Sequence, residues 1–121
     1  MQLRKMKTAE LTGAALDWAV AETQGRRRIA TSRKEFGLSV AKSIIPPYST
    51  AWAWCGPLID EYKLNVSHMP SGRRPDEPWF CCNNSETFWC TGGSAMVAVC
   101  RAVVSEQLGD EVDIPTNLTG A

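Results

Sequence analysis

Pro46-Pro47-Tyr48-Ser49-Thr50-Ala51-Trp52-Ala53-Trp54-Cys55-Gly56-Pro57-Leu58-Ile59 is the stretch on which the reading of this chain turns. The two leading prolines force extension. On an extended backbone Trp52 and Trp54, two residues apart, point to one face. Gly56 permits a tight turn or a close approach of backbone to a ligand. Pro57 suits the first position of a helix, where its missing N–H costs nothing. This predicts a short helix over Gly56–Lys63 with Leu58, Ile59 and Tyr62 on its apolar side. A rigid aromatic segment feeding a helix N-terminus offers flat rings beside free N–H groups and a positive dipole. The competing reading packs both rings into the core, the commoner fate of tryptophan.

Downstream, Leu64-Asn65-Val66-Ser67-His68 reads as a strand. Pro70–Pro78 reads as a polar loop carrying Arg73 and Arg74. Trp79-Phe80-Cys81-Cys82 and Thr87-Phe88-Trp89-Cys90 read as two aromatic strands joined like a hairpin through Asn83-Asn84-Ser85-Glu86. Ser94 is a good N-cap for the strongest helix. Its apolar face is Met96, Val99, Cys100, Val103, Val104 and Leu108, with Arg101, Ser105 and Glu106 toward solvent and Gly109 as the stop. Asp110–Ile114 reads as a last extended piece, with a frayed tail from Pro115. Gly92-Gly93-Ser94 lacks the G-x-x-x-x-G-K-[ST] pattern of a phosphate loop.

Upstream, Met1–Lys7 reads as an edge strand. Thr8 and Thr12 are both candidate N-caps. From Thr12 to Gln24 the pattern is helical. Leu11, Ala15, Leu16, Ala19 and Val20 form an apolar stripe, Trp18 flanks it, Asp17 and Glu22 lie outside, and Gly25 sits where a C-terminal glycine belongs. Arg26-Arg27-Arg28 follows directly. These cations either neutralise the helix carboxyl end or form a phosphate clamp. Ser32–Gly37 reads as a turn and the end of Ile29–Ala41 as a strand.

The 121 residues suffice for one domain, 1–121, without staples. Formal net charge is zero, yet residues 1–42 hold nine Lys/Arg against four acids, and the remainder holds four against nine. Such a split fits an anion site or two surfaces meeting in a homo-oligomer, with a dimer as the expectation. A pI near 6.6 argues against non-specific nucleic-acid coating. The five cysteines are odd in number, with Cys81 and Cys82 adjacent, and they form no C-x2-C pair. That spacing suits free thiols in a reducing compartment, with neither disulfides nor metal. No apolar run approaches the roughly 20 residues of a membrane span, and the basic start lacks a signal-peptide hydrophobic region. The expected location is the cytoplasm, with no membrane partner.

Catalytic patterns are missing. There is one histidine, His68, and no G-x-S-x-G, H-E-x-x-H or dinucleotide fingerprint. Recognition of a nucleotide-like ligand needs a flat surface for the base and cations or N–H groups for the phosphates. Trp52, Trp54 and Trp79 are the candidates for the first. Arg26, Arg28, Arg73 and Arg74 are the candidates for the second, with the N–H groups near Gly56 as an alternative.

Three blocks carry a family resemblance. They are Thr8-Ala-Glu-Leu-Thr-Gly-Ala-Ala-Leu-Asp-Trp-Ala-Val-Ala21, then Ser49-Thr50-Ala51-Trp52 with Cys55-Gly56-Pro57-Leu58-Ile59-Asp60, then Met96–Val104 followed by Gly109-Asp110-Glu111-Val112-Asp113-Ile114-Pro115. In this order, over about half the chain, the sequence resembles the NinX-like family of small proteins from lambdoid and related tailed phages. Ala51 stands where that family usually has an acid, and Cys55 where it has a further glycine. The resemblance implies a phage accessory protein made in the host cytoplasm and supplies no biochemical activity.

The expected fold is α+β, two longer helices and one short helix on a small antiparallel sheet. Three function classes follow. The first is a non-catalytic binder, without cofactor, that sequesters a small anionic nucleotide-like ligand such as an immune signal of the host. The second is an inhibitor of a host defence enzyme or nuclease, which calls for a large exposed apolar patch without a pocket. The third is a small hydrolase, which calls for carboxylates converging with His68.

Overall fold

The computed structural model describes residues 2–24, 45–69, 75–83 and 89–118. Among the described residues three helices pack on two small antiparallel sheets, so the α+β class read from the pattern holds. In chain order the elements are β1 (Leu3–Lys7), a 3-10 turn (Thr8–Glu10), α1 (Gly13–Thr23), α2 (Trp52–Tyr62), β2 (Leu64–His68), β3 (Trp79–Asn83), β4 (Trp89–Gly92), α3 (Ala95–Leu108), β5 (Glu111–Pro115) and a closing 3-10 turn (Thr116–Leu118).

α3 is the centre. It packs against α1, α2 and all three strands of the sheet β2-β3-β4. The Ser94 side chain accepts from the Val97 N–H at 3.2 Å, which caps one orphan donor of the first turn. Gly109 ends the helix at φ +93, a conformation that side chains disfavour. Ala98–Val104 is buried without a break. At Gly92 the end of β4 passes so close to α3 that an added Cβ would lie 2.6 Å from the Ala98 nitrogen.

The register sets which side of the three-stranded sheet meets the core. Leu64 pairs with Asn83, Val66 with Cys81 and Cys81 with Cys90, so these side chains share one face. Leu64 and Cys81 are buried on it, and Val66, Cys90 and Trp79 pack against the same core. Ser67, Phe80 and Trp89 fall on the other face. There Phe80 and Trp89 stack, with ring centroids 5.4 Å apart and planes at 26°. β1 and β5 form a separate ribbon, with Lys5 opposite Asp113 and Lys7 opposite Glu111. Opposed charges of this kind support pairing.

Several boundaries match the sequence reading. β2 spans Leu64–His68. Thr12 and Gln24 flank α1, whose face Ala15, Leu16, Ala19 and Val20 is buried with Leu11. Four readings are corrected. The second helix starts at Trp52 and runs to Tyr62, so it is as long as α1 and Pro57 lies inside it. Arg101 is 3% exposed, not solvent-facing. Asp17 accepts from the Ser49 N–H at 2.8 Å, and burial raises its carboxyl above the ordinary value while that bond lowers it. Pro115 and Leu118 are buried and the Thr116 N–H donates to the Gln2 carbonyl, so this part of the tail is tied to β1. The readings of Gly25, Arg26–Arg28, Ser32–Gly37, the 29–41 strand, Arg73, Arg74 and the 84–88 joint lie outside the described residues.

Candidate functional site

The candidate residues centre on α2. Ala51, its N-cap residue, has no side chain to cap with, and its carbonyl accepts from both the Trp54 and Cys55 N–H groups at 3.0 Å. The helix is held to the molecule by one narrow face. Cys55 and Leu58 are its buried residues. The Cys55 thiol donates to the Met96 carbonyl at 3.9 Å, fixing the first turn of α2 against the start of α3. At the far end Gln24 Nε2 donates to Tyr62 Oη at 2.8 Å. Lys63, in the left-handed region at φ 55, then turns the chain into β2.

A helix from Trp52 changes what the tryptophans do. Residues two apart on a helix lie about 200° apart around its axis. Trp52 and Trp54 therefore flank α2 on different sides, and the single-face platform expected of an extended segment is not formed. Neither ring is core, contrary to the commoner fate: Trp52 is 52% exposed and Trp54 38%. The Trp54 ring meets the buried Tyr48 edge-on at 5.9 Å and 73°. It borders a cavity of about 270 Å³ lined also by Gln24, Ala53, Pro57 and Glu61. Trp52 shares its side of the helix with Gly56 and Ile59, four and seven residues on. Gly56 and Ile59 line an open groove of about 410 Å³ with Asp60, Lys63 and Leu64.

Gly56 and Pro57 sit in the second turn, where both cost helix stability. No packing accounts for the glycine, because a Cβ there meets nothing within 4 Å. Pro57 is exposed and has no N–H for the Ala53 carbonyl one turn back. A glycine before proline does remove a clash with the proline ring, so the two residues act together. The free N–H end of the helix lies at Trp52 and Ala53, not at Gly56 as a helix beginning at Pro57 would have it.

Trp79 is elsewhere. It lies on the core side of the sheet with its ring against His68, centroids 4.7 Å apart and planes at 45°. Met69 follows His68, and its N–H donates to the Pro78 carbonyl at 2.6 Å, pinning the base of the segment that contains Arg73 and Arg74. Gln24, the last described residue before Arg26 and Arg28, bonds Tyr62 in the last turn of α2. The structure brings Trp52 and Gly56 together, sets Trp54 on the other flank and Trp79 on the sheet.

The sequence reading missed two features. Trp89, at 58% exposure, is the most exposed of the large apolar residues described. Arg101 is the second. Its Nε donates to the Leu11 carbonyl at 3.0 Å, and its Nη1 donates to Glu77 Oε2 and to the Thr91 carbonyl, both at 2.8 Å. Thr91 Oγ1 in turn donates to Glu77 Oε1 at 3.0 Å. A lone cation in the apolar run Ala95–Val104 was the available signal, since such a residue is buried on most sides and needs partners.

The thiols have the character of packing groups. All five cysteines are free. Burial, chiefly, pushes Cys81 up to about 12 and Cys90 up to about 11. The hydrogen bond with Cys55, and then burial, push Cys100 up as well. Among the described residues no group of three His, Cys, Asp or Glu is placed to hold a metal ion, and no helix is long and apolar enough to cross a membrane.

The sequence profile of the family described as "Bacteriophage P22, NinX" matches residues 7–107. The chain belongs to this phage family. Comparison with curated proteins gave no match. The NinX match runs from the end of β1 to the last turn of α3, so it takes in α2 and its exposed tryptophans.

Proposed function

We propose that this NinX-family protein is a non-catalytic binder that holds a small anionic, nucleotide-like ligand on the Trp52 flank of α2. The observation that carries the reading is a large ring left half exposed beside Gly56, a helical residue with open space above it. The ring supplies a stacking surface worth about 1–3 kcal/mol per base. The bare backbone at Gly56 lets the ligand lie close to the helix. Lys63, on the same side, supplies a cation, and its Nζ donates to the Asp60 carbonyl at 3.2 Å. Arg26, Arg28, Arg73 and Arg74 remain the proposed phosphate partners.

The test is capture. The protein is incubated with an extract of infected cells, washed and denatured, and released nucleotides are identified by mass spectrometry. The wild type is expected to retain a nucleotide and Trp52→Ala to retain about 10- to 100-fold less. Equal retention by the two proteins sinks the reading.

One observation favours a second reading, inhibition of a host protein. Trp52, Trp54 and Met69 are exposed apolar residues, and the groove beside Gly56 and Ile59 is open. Exposed tryptophans of this kind serve as interface anchors. Co-purification of one host protein, lost in Trp52→Ala and Trp54→Ala, would favour it over nucleotide capture. The hydrolase reading gains no support from the described residues, where His68 packs on Trp79.

A further inference from the structure

A second surface stands apart from α2. A groove of about 620 Å³ is lined by Lys7, Thr8, Trp89, Ser105, Asp110 and Glu111, among others. It runs along β4, an edge strand of the three-stranded sheet. Its floor is firm: Thr8 Oγ1 donates to the Gly109 carbonyl at 2.6 Å and the Thr8 N–H to the Asp110 carbonyl at 2.7 Å. Trp89 is braced by the stack on Phe80 yet keeps most of its surface open. The Asp110 and Glu111 carboxylates have no hydrogen-bond or ion-pair partner among the described residues. Lys7 stands opposite Glu111 across the ribbon, so the lining keeps an excess of one negative charge.

The same strand edge already holds a guanidinium. Arg101 Nη1 bonds the Thr91 carbonyl and the Glu77 carboxylate together. Residues two apart on a strand present their backbone groups to the same side. The Trp89 carbonyl therefore shares its side of the strand with the Thr91 carbonyl that Arg101 holds, and Asp110 and Glu111 line the groove with Trp89. Trp89 adds a face on which a planar cation stacks.

We propose that this groove binds a guanidinium group, presented by an arginine side chain of a partner polypeptide, between the Trp89 ring and the Asp110 and Glu111 carboxylates. The proposal is independent of the α2 reading. It is tested by following the Trp89 indole N–H resonance during titration with a capped Gly-Arg-Gly peptide, its citrulline counterpart, methylguanidinium and spermidine. The arginine peptide should shift that resonance saturably, and the uncharged citrulline peptide should not. Trp89→Ala and Asp110→Asn should each weaken arginine-peptide binding by about 2- to 30-fold, read by calorimetry; Asp110→Asn, at an exposed position, should leave melting unchanged, while Trp89→Ala also loses the stack on Phe80. Methylguanidinium binding more weakly than the peptide supports a polypeptide source. Methylguanidinium binding as tightly as the peptide keeps the chemistry but overturns the polypeptide. Equal shifts with citrulline, tighter binding of spermidine, or no saturable shift at millimolar peptide would overturn the guanidinium assignment.

Discussion

α2 and α3 lie against each other and follow opposite rules. α3 has a side-chain cap, a glycine stop and an unbroken buried stretch from Ala98 to Val104. α2 has an alanine at its N-cap, Gly56-Pro57 in its second turn, two residues buried and two tryptophans exposed. Local propensity, capping and packing agree in α3. In α2 they conflict, and such conflicts concentrate where function overrides stability. The difference separates a helix that makes the core from one that the core merely carries.

If α3 is the structural helix, its buried cation should be costly to remove. Arg101→Ala removes the cation paired with Glu77 Oε2 and the donor to the Leu11 and Thr91 carbonyls, and a loss of about 3–5 kcal/mol is expected in urea unfolding. A loss within about 0.5 kcal/mol, the range of a surface change, would mean that Arg101 is not structural.

The packing under α3 should also show in alkali. Cys81 and Cys90 titrate in the fold at about 12 and about 11, against an ordinary thiol value of 9.0. Folded values above unfolded ones give stability that is complete below pH 9.0 and lost as pH rises through 11 to 12. The melting temperature should fall steadily above pH 9. A flat profile to pH 11 would place these thiols in water.

Smaller effects sharpen the contrast at the helix starts. Ser94→Ala removes the α3 cap and should cost about 1 kcal/mol. Trp52→Ala should change stability by no more than about 0.5 kcal/mol, as for a surface position. A drop of about 3–5 kcal/mol on melting would return Trp52 to the core.

Much of this was legible in the sequence. The stripe of α1, the bounds of β2 and the Ser94 cap are local signals, each contained in a few residues. The start of α2 was not legible, because Pro57 is as good a helix opener as it is a helix interrupter. What decides is distant: Asp17 anchors Ser49, and Met96 receives the Cys55 thiol. The burial of Arg101 was hidden for the same reason. Helical period placed it by its own turn, while the carbonyls of Leu11 and Thr91 that require it come from elsewhere. Of the candidate site, Trp52 and Trp54 were read on an extended backbone and Gly56 at a helix start, and the structure has all three within α2. A change from strand to helix moved Trp52 and Trp54 to different flanks.

The central claim is that Gly56-Pro57 keeps α2 open at a cost in stability. The double variant Gly56→Ala/Pro57→Ala tests it most directly, since alanine at both sites restores helix propensity and fills space that is empty. Thermal melting and nucleotide capture are measured on the same preparation. A gain of about 1–4 kcal/mol in stability is expected, together with at least a tenfold loss of captured nucleotide. A variant that melts lower, or that captures as much as wild type, would contradict the claim and make the pair a structural feature of the helix.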